Sequence, residues 1–510
     1  MTEPELSSRA RWAWIVTVAL AAALPYALKT VADHDLWWHV KTGQMILDER
    51  ELPETDPFSF TAPDAPWTNH EWLADVVLAT VYDTGGDQAL SVLRTGLLLA
   101  AIAGFTLLLW NRLPHPLFVL GGCLSAVPLF QVINLRPHSY TYLFVVVLLL
   151  TLEASVRRPK LLWLLPPLLC LWANLHGGFV LGLGILTLGL AVRWLALEDP
   201  ARVPSRPERR LLLAVAGASL VAPLFNPYGL GLFAYLGREL GADHSIILEW
   251  QGIWSFPQYR PQFLLLMLLP VAGLALTRRL RPLMPIVLLA ISTAATLVHG
   301  RFLILLVIFS SLVTFSALST LLERYLPHGS GALLHRLTAP RWAWTLVALP
   351  LFAAVLQFAV DIKKQGLRLH IPFHVPVEAC EFLQQHDLGP NLLLRLDWGG
   401  YAIWHLYPRY RVSGDGRNLT VYDAEFVDEL LRAYDDGRFA DYSRRYDVDV
   451  ILSESAGPTY DELRSHEGWV SIHQDRLATV FVRPEVARSV RTADVPALAV
   501  QPAAERFFFP

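Results

Sequence analysis

Two acidic residues and a histidine follow the first long apolar run, in the segment Asp33-His34-Asp35-Leu36-Trp37-Trp38-His39. If a helix begins at Leu36, Asp35 lies at its N-cap and His39 lies one turn later on the same side. A carboxylate at a membrane surface can accept a proton from an attacking hydroxyl, or bind a divalent cation together with His39. The alternative is a plain helix cap beside an interfacial pair of tryptophans. We interpret Asp35 as functional, and for Asp33 both interpretations stay open.

A second polar cluster closes the same loop, in the segment Trp67-Thr68-Asn69-His70-Glu71-Trp72. His70 and Glu71 could complete a metal site or position an acceptor molecule. The alternative is a capping arrangement between Thr68 and Glu71 at the start of a short helix. The pair lacks the second histidine of a zinc-protease motif, so both interpretations stay open.

Two very short turns between apolar runs carry an arginine with a histidine: Arg136-Pro137-His138 and His299-Gly300-Arg301. The charge pattern described below places both turns outside the cell, where arginine is disfavoured. An anionic ligand gives arginine a reason to be there, because a guanidinium binds phosphate strongly. We predict that Arg136, His138 and Arg301 bind a substrate phosphate. A lipid headgroup contact or a salt bridge to the acidic first loop is the alternative.

Other polar turns carry weaker signals. His176, in the turn Asn174–Gly178, is a candidate substrate-binding residue or a hydrogen-bonded turn residue. Asn226–Gly229 and Glu249 are more typical of turns than of ligand sites. In the C-terminal region, Asp397–Tyr401 and Gly414–Arg417 follow predicted strands, where α/β domains tend to present ligand groups. We favour plain turn chemistry for both.

The elements that must position these residues are largely apolar. Of the 510 residues, 54% are hydrophobic and 17% are charged, against about 25% charged in ordinary soluble domains. Long uncharged runs alternate with short charged clusters up to about residue 360. Runs long enough to cross a hydrocarbon core of about 30 Å are predicted at 12–31, 88–110, 116–133, 138–153, 160–175, 178–196, 211–225, 262–277, 283–298, 302–321 and 342–360. Two prolines in the fifth run predict a kinked or re-entrant helix.

The distribution of basic residues orients these runs. With the N-terminus inside, arginines concentrate in the cytoplasmic turns, whereas the loop 32–87 is acidic. We therefore predict about 11 transmembrane helices with the C-terminus outside. All of the polar residues named above then lie on the extracytoplasmic face, and a catalytic site needs such groups from several segments.

The region from 361 onward reads as an ordinary globular domain. Its helical and strand patterns alternate, which predicts a small extracytoplasmic α/β domain over 361–510, with a disordered tail from about 484. Residues 1–360 form the predicted membrane domain, with 32–87 as its first extracytoplasmic loop. The fold class is thus mainly α, a polytopic bundle with a C-terminal soluble α/β domain. Nothing indicates a nucleic-acid partner, and three cysteines cannot make a disulfide framework.

Several segments together resemble a known group of enzymes. The motif Asp33–Gly43 (DHDLWWHVKTG) is similar in style to the first-loop motif of the oligosaccharyltransferase catalytic subunit. The patches DPFSFT, PWTNHEW, RPHSYTYLF, WANLHGGF, FNPYG, HGRF, WGGYAIW and GDGR resemble a group of bacterial membrane proteins. The chain thus resembles the GT-C superfamily of polytopic glycosyltransferases, which use lipid-phosphate-linked sugars. One departure is that Arg136-Pro137-His138 stands where oligosaccharyltransferases place a second acidic pair.

The resemblance implies a glycosyltransferase of the hexosyl or pentosyl type. It would act in the bacterial inner membrane with its site facing the periplasm. A polyprenyl-phosphate sugar would be the donor, within the membrane lipid, and a glycan, lipid or protein of the cell envelope the acceptor. Asp35 would be the catalytic or metal-coordinating carboxylate with Asp33 beside it, and a divalent cation (Mg²⁺ or Mn²⁺) the cofactor. The alternatives are a lipid or polysaccharide transporter and a non-catalytic, glycan-binding envelope scaffold.

Overall fold

The computed structural model describes residues 33–113, 135–198, 201–241, 250–278, 282–325 and 375–490, with single residues at 17, 122, 356 and 360. The chain divides into two compact units. The helical unit combines Met1–Thr30, Gly85–Phe233 and Ile247–Leu369. The α/β unit combines Val31–Thr84, Ala234–Ile246 and His370–Pro510, so the first loop groups with the C-terminal region.

The first ten described α-helices precede the sheet. They are α1 (Leu36–Glu49), α2 (Trp72–Arg112), α3 (His138–Ser155), α4 (Leu165–Leu175), α5 (Phe179–Trp194), α6 (Arg206–Val221), α7 (Gly231–Gly241), α8 (Arg260–Thr277), α9 (Leu283–Val298) and α10 (Leu303–Tyr325). Helix α2 is interrupted at Gly85 and Gly86, whose backbone angles are not helical. This interruption coincides with the passage of the chain from the α/β unit to the helical unit.

Eight of the eleven predicted spans fall on described helices. Three predicted spans lie outside the described residues except for single positions: 12–31, 116–133 and 342–360. Glu249 also lies outside the described residues. Within the described part, four helices are long and apolar enough to cross a membrane: Trp72–Arg112, His138–Ser155, Pro257–Thr277 and Gly300–Tyr325. The count of eleven stays a prediction.

The two prolines of the fifth run lie at the start of a helix and not within one. Residues Pro159–Leu164 form a 3₁₀ helix, and α4 begins directly after it. Pro166 lies in the first turn of α4, where a missing backbone N–H costs no helical hydrogen bond. The proline pair therefore marks a helix start.

The α/β unit is built on a five-stranded sheet. Its strands are β1 (Asn391–Leu394), β2 (Arg411–Val412), β3 (Val450–Glu454), β4 (Val470–Gln474) and β5 (Ala478–Val482), in the order β2-β1-β3-β5-β4. Strand β1 pairs in parallel with both β2 and β3, and β5 pairs antiparallel with β3 and β4. The helices are α11 (Val377–Gln385), α12 (Gly399–Leu406), α13 (Ala424–Asp435), α14 (Phe439–Tyr442), α15 (Pro458–Ser465) and α16 (Pro484–Ser489).

Sequence patterns predict a helix over 376–386 and strands over 391–396, 448–453 and 478–482, and α11, β1, β3 and β5 lie within two residues of these bounds. Leu393, Ile451 and Phe481 belong to one core cluster with Leu430 and Trp469. The predicted tail from 484 includes α16, and residues 491–510 lie outside the described part.

The first loop extends the edge of this sheet. Ser59 forms a parallel bridge with Val412. The N–H of Phe60 donates to the carbonyl of Val412 at 3.1 Å, and the N–H of Val412 donates to the carbonyl of Phe58 at 3.0 Å. The loop thereby covers the edge strand β2, which would otherwise expose unpaired backbone groups.

Candidate functional site

Helix α1 begins at Leu36, as the motif predicts. Asp35 occupies the N-cap position, but its side chain makes no capping hydrogen bond. Instead Asp33 shapes the turn: its Oδ1 accepts from the N–H of Asp35 at 3.1 Å, and its carbonyl accepts from the N–H of Leu36. The side chain of Asp35 therefore makes no capping bond to α1, and its functional role stays a prediction.

Two segments of the C-terminal region, the turn Gly414–Arg417 and the start of α12, lie against this motif. A Cβ atom on Gly416 would lie 1.6 Å from Oδ1 of Asp35, and one on Gly400 would lie 2.4 Å from the carbonyl oxygen of His34. Gly399 packs equally closely on the turn itself, because its Cβ would lie 2.2 Å from the carbonyl oxygen of Gly414. The strands explain this meeting, since β1 and β2 are parallel and their carboxyl ends lie at one edge of the sheet.

A buried ionic cluster fixes the turn Gly414–Arg417. Arg417 makes a bidentate contact with Asp415, through Nε to Oδ1 at 2.8 Å and Nη2 to Oδ2 at 2.7 Å. Its Nη1 lies 2.7 Å from Oδ1 of Asp56, a residue of the first loop. The hydroxyl of Tyr422 donates to Asp415 at 2.6 Å. The side chains of all three charged residues are fully buried.

The pKa values in this cluster follow from burial and pairing. Burial opposes ionisation of Asp415, but the charge and hydrogen bonds of Arg417, with the hydroxyl of Tyr422, outweigh it and lower the pKa of Asp415. Burial and the adjacent carboxylate raise the pKa of Tyr422 well above its usual value. The guanidinium also lies over the rings of Phe58 at 5.0 Å and Trp67 at 4.7 Å.

His39 is held by a residue of α2. Its Nδ1 lies 2.6 Å from Oδ1 of Asp75, and Nδ2 of Asn69 donates to Oδ2 of Asp75 at 2.8 Å. A cation bound by His39 would therefore have to use Nε2. Among the residues that the structure describes, no group of three or more His, Cys, Asp or Glu side chains is placed to hold a metal ion. The residues present do not by themselves fit the predicted metal site.

His70 and Glu71 lie next to each other in the α/β unit, with Nε2 of His70 3.6 Å from Oε1 of Glu71. The His70 ring packs on Tyr235 at a centroid distance of 5.0 Å. Burial lowers the pKa of His70 to about 4, with the nearby Glu239 acting in the opposite direction. His70 is thus neutral at physiological pH, so it can hydrogen-bond a substrate but cannot offer a positive charge.

In the helical unit, the structure brings His138 and His176 together. Their rings lie 6.5 Å apart in an edge-on arrangement. Nδ1 of His176 accepts from the N–H of Gly178 at 2.9 Å and lies 2.8 Å from Oγ1 of Thr141. Because Nδ1 accepts a backbone N–H, the neutral ring carries its proton on Nε2. His176 can therefore donate a hydrogen bond to an anionic or carbonyl oxygen.

The WANLHGGF patch supports this histidine. Nε1 of Trp172 donates to Oγ1 of Thr141 at 3.0 Å, which orients the threonine hydroxyl toward His176. A Cβ on Gly178 would lie 2.3 Å from Oγ1 of Thr141, so only glycine fits there. Asn174 links this turn to the next one by donating to the carbonyl of Phe225 at 2.9 Å.

Arg301 lies in a short 3₁₀ turn between α9 and α10. Its guanidinium is 4.3 Å from the centre of the Trp250 ring. His299 holds the same tryptophan through Nδ1, 2.6 Å from the Trp250 carbonyl oxygen, and its ring packs edge-on at 5.1 Å. The carbonyl of Arg136 accepts from the N–H of Ser139, which places Arg136 just before the N-terminus of α3. Arg136 and Arg301 are half-buried.

Asn226 behaves as the sequence indicates. Its Oδ1 accepts from the N–H of Tyr228 at 2.7 Å, and its Nδ2 donates to the carbonyl of Pro223. The side chain closes its own turn, which confirms the turn interpretation.

Sequence reasoning missed several buried charged residues. Asp56, Asp75 and Arg417 are buried, and Asp415 was assigned to ordinary turn chemistry. Arg94, inside α2, is 2% exposed. A buried arginine in a predicted span is a functional candidate by default, so the interruption of the run 88–110 by Arg94 was a usable signal.

Comparison with solved structures places a known fold beside these observations. The chain is similar to the "Archaeal oligosaccharyltransferase AglB from Archaeoglobus fulgidus in complex with an inhibitory peptide and a dolichol-phosphate". The TM-score is 0.54 at 11% sequence identity, over 86% of this chain and 69% of that one. No protein-family model and no curated protein sequence matches. The chain thus shares the fold of that oligosaccharyltransferase, and with four described helices long and apolar enough to cross a membrane it is a multi-pass membrane protein.

Proposed function

We propose that this protein is a membrane glycosyltransferase that transfers a sugar from a polyprenyl-phosphate-linked donor to an envelope acceptor on the extracytoplasmic face. The observation that carries the proposal is the position of Asp35 within a GT-C fold. It follows the first predicted span, at the start of α1, and its carboxylate makes no capping bond. The solved neighbour was captured with a dolichol-phosphate, which supports a lipid-linked donor.

Asp35 acts on the acceptor in this proposal. Its carboxylate takes the proton of the acceptor hydroxyl, and the hydroxyl oxygen attacks the anomeric carbon of the donor sugar. The bond between that carbon and the phosphate oxygen breaks, and polyprenyl phosphate leaves with the bonding electron pair. Asp33 contributes by fixing the backbone turn that presents Asp35.

The phosphate-binding role falls to residues of the helical unit. Arg136 and Arg301 neutralise the negative charge that grows on the leaving phosphate. The Nε2–H of His176 is a hydrogen-bond donor for such an oxygen, and His138 lies beside it. Removing one such contact typically costs about 3 kcal/mol, roughly a hundredfold in rate.

Within the α/β unit, His70 and Glu71 are proposed to bind the acceptor. His70 is suited to this role rather than to the phosphate, since burial keeps it neutral. A divalent cation, which the resemblance implies, stays a proposal without an assigned step, because Asp35 and His39 do not group with a third ligand in the described part of the chain.

Two other functions compete with this one. A transporter needs ionisable groups near mid-membrane and paired half-repeats. A glycan-binding scaffold needs neither mid-membrane ionisable groups nor half-repeats, and it could have the same fold as the enzyme. The carboxylate of Asp35 discriminates among the three, because only an enzyme needs it for turnover.

The test is an in vitro assay of the full-length protein in lipid nanodiscs. A panel of polyprenyl-phosphate hexoses and pentoses is supplied with an envelope extract as acceptor, and release of polyprenyl phosphate is measured. Release that depends on the protein and on the acceptor supports the proposal. Binding of a donor without turnover across the whole panel supports the scaffold.

A further inference from the structure

The turn Gly414–Arg417 of the C-terminal region lies directly against the carboxylate of Asp35. A Cβ on Gly416 would lie 1.6 Å from Oδ1, 2.7 Å from Cγ and 3.3 Å from Oδ2 of Asp35. Non-bonded carbon and oxygen atoms do not approach closer than about 3 Å, so no residue with a side chain fits at 416. Gly416 is not among the glycines with positive φ. Glycine is therefore required at 416 because a side chain would clash with Asp35, and not because of its backbone angles.

The turn is held by a buried ion pair between two of its own residues. Arg417 donates to Asp415 through Nε, Nη2 and its backbone N–H. Such bidentate pairs fix orientation as well as distance. Asn418 adds a bond from Nδ2 to the carbonyl of Gly416 at 2.9 Å.

The same arginine reaches the first loop. Nη1 of Arg417 lies 2.7 Å from Oδ1 of Asp56, and the other oxygen of Asp56 accepts from the N–H of Ser59. Thr61 donates to the carbonyl of Ser413 at 2.7 Å. The first loop and the turn Gly414–Arg417 are therefore tied together by one buried guanidinium.

From these contacts we infer that the turn Gly414–Arg417 is a positioning element for Asp35. Gly416 provides the surface against which the carboxylate packs, and Arg417 fixes the position of that surface. This inference rests on the proposed function, because it presumes that Asp35 takes part in transfer. The C-terminal domain then completes the active site and is required for the chemical step itself.

The expected size of the effect follows from the geometry. A methyl group on Gly416 must displace the carboxylate by more than 1 Å, and a misplacement of about 1 Å in a catalytic group can cost on the order of a hundredfold in rate. The donor does not contact Gly416 in this scheme. The loss should therefore appear in kcat, with the KM for the donor nearly unchanged.

The experiment compares Gly416→Ala with Gly237→Ala in the full-length protein in nanodiscs, using the polyprenyl-phosphate sugar panel. Gly237→Ala, in α7 of the same unit, is the matched control, because a Cβ there would meet no atom within 4 Å. We expect Gly416→Ala to lose about a hundredfold in kcat while its melting temperature stays close to that of the control. Equal rates in the two variants would overturn the inference.

A double-mutant cycle separates positioning from general damage. If Gly416 acts through Asp35, the variant Asp35→Asn/Gly416→Ala should retain the residual rate of Asp35→Asn alone. Multiplied losses would show that Gly416 acts independently of Asp35. If Gly416→Ala fails to fold, Arg417→Lys replaces it, and a fall in kcat with a normal donor KM is expected. A wild-type rate in Asp35→Asn would contradict the proposed function. An inactive Asp35→Asn variant together with an active Gly416→Ala variant would contradict only this inference.

Discussion

Nδ1 of His39 lies 2.6 Å from Oδ1 of Asp75, and both side chains are buried. This contact joins α1 to α2. Gly43, one turn after His39, packs on the same partner, because its Cβ would lie 2.1 Å from the carbonyl oxygen of Asp75. The spacing of His39 and Gly43 in the first motif is therefore a packing requirement, and it sets the direction of the helix that begins after Asp35.

Replacing His39 with Ala should destabilise the protein. Among the residues that the structure describes, Asp75 would keep the hydrogen bond from Asn69 alone, and a buried polar group that loses its partner costs about 1–3 kcal/mol. We expect a lower melting temperature in detergent, with activity per folded molecule largely retained. His39→Gln is the control, since its amide can still reach a carboxylate. Full stability with lost turnover would instead indicate that His39 acts in catalysis.

Replacing Arg301 with Ala should lower transfer by about a hundredfold, because one charge that balances the leaving phosphate is lost. Arg260→Ala provides the comparison, since Arg260 also lies over a tryptophan, Trp254, at 5.9 Å. The Arg260 variant should remain within a few-fold of wild type. Rates that fall equally in both variants would mean that arginine–tryptophan contacts stabilise the fold, without a special role for Arg301. Rates are measured with saturating donor.

The low pKa of His70 predicts a pH effect on stability. The unfolded histidine binds a proton near pH 6.5, whereas the folded one does so only near pH 4. As pH falls from about 6.5 to 4, the unfolded state gains a proton first, so the free energy of unfolding decreases. Melting temperatures measured across this range should fall less steeply in His70→Gln. An identical change of melting temperature with pH in the wild type and in His70→Gln would contradict the lowered pKa of His70.

Replacing Gly178 with Ala should disturb the histidine pair of the helical unit. The added methyl group would lie 2.3 Å from Oγ1 of Thr141 and 2.8 Å from Nδ1 of His176. We expect donor turnover to fall by about tenfold or more, since a displaced donor group loses its contact with the phosphate. Gly184→Ala is the control on the same helix, because its Cβ meets open space. Equal turnover in the two variants would exclude His176 from donor binding.

The sequence predicts the elements better than the contacts between them. Alternating apolar residues and glycine-containing turns located β1, β3 and β5, because these signals are local. The pairing of Asp56 with Arg417 joins residues far apart in sequence, and neither residue type is expected in a core. The patches DPFSFT and GDGR are separate in the sequence, and the bridge between Ser59 and Val412 together with the Asp56–Arg417 ion pair brings them together.

The reading of Gly414–Arg417 as an ordinary turn illustrates the limit. An Asp-Gly pair is common in turns, and the local pattern gives no sign that Gly416 must admit a carboxylate. The functional interpretation of Asp35 stays a prediction, which rests on the position of its carboxylate between a predicted span and a helix start.

The most direct measurement of the central claim is the transfer rate of Asp35→Asn, in nanodiscs, with a polyprenyl-phosphate sugar that the wild-type protein consumes. Asparagine keeps the shape of aspartate but cannot accept the acceptor proton. Release of polyprenyl phosphate should fall by at least about a hundredfold, with unchanged membrane insertion and melting temperature. A wild-type rate in that variant would contradict a catalytic role for Asp35.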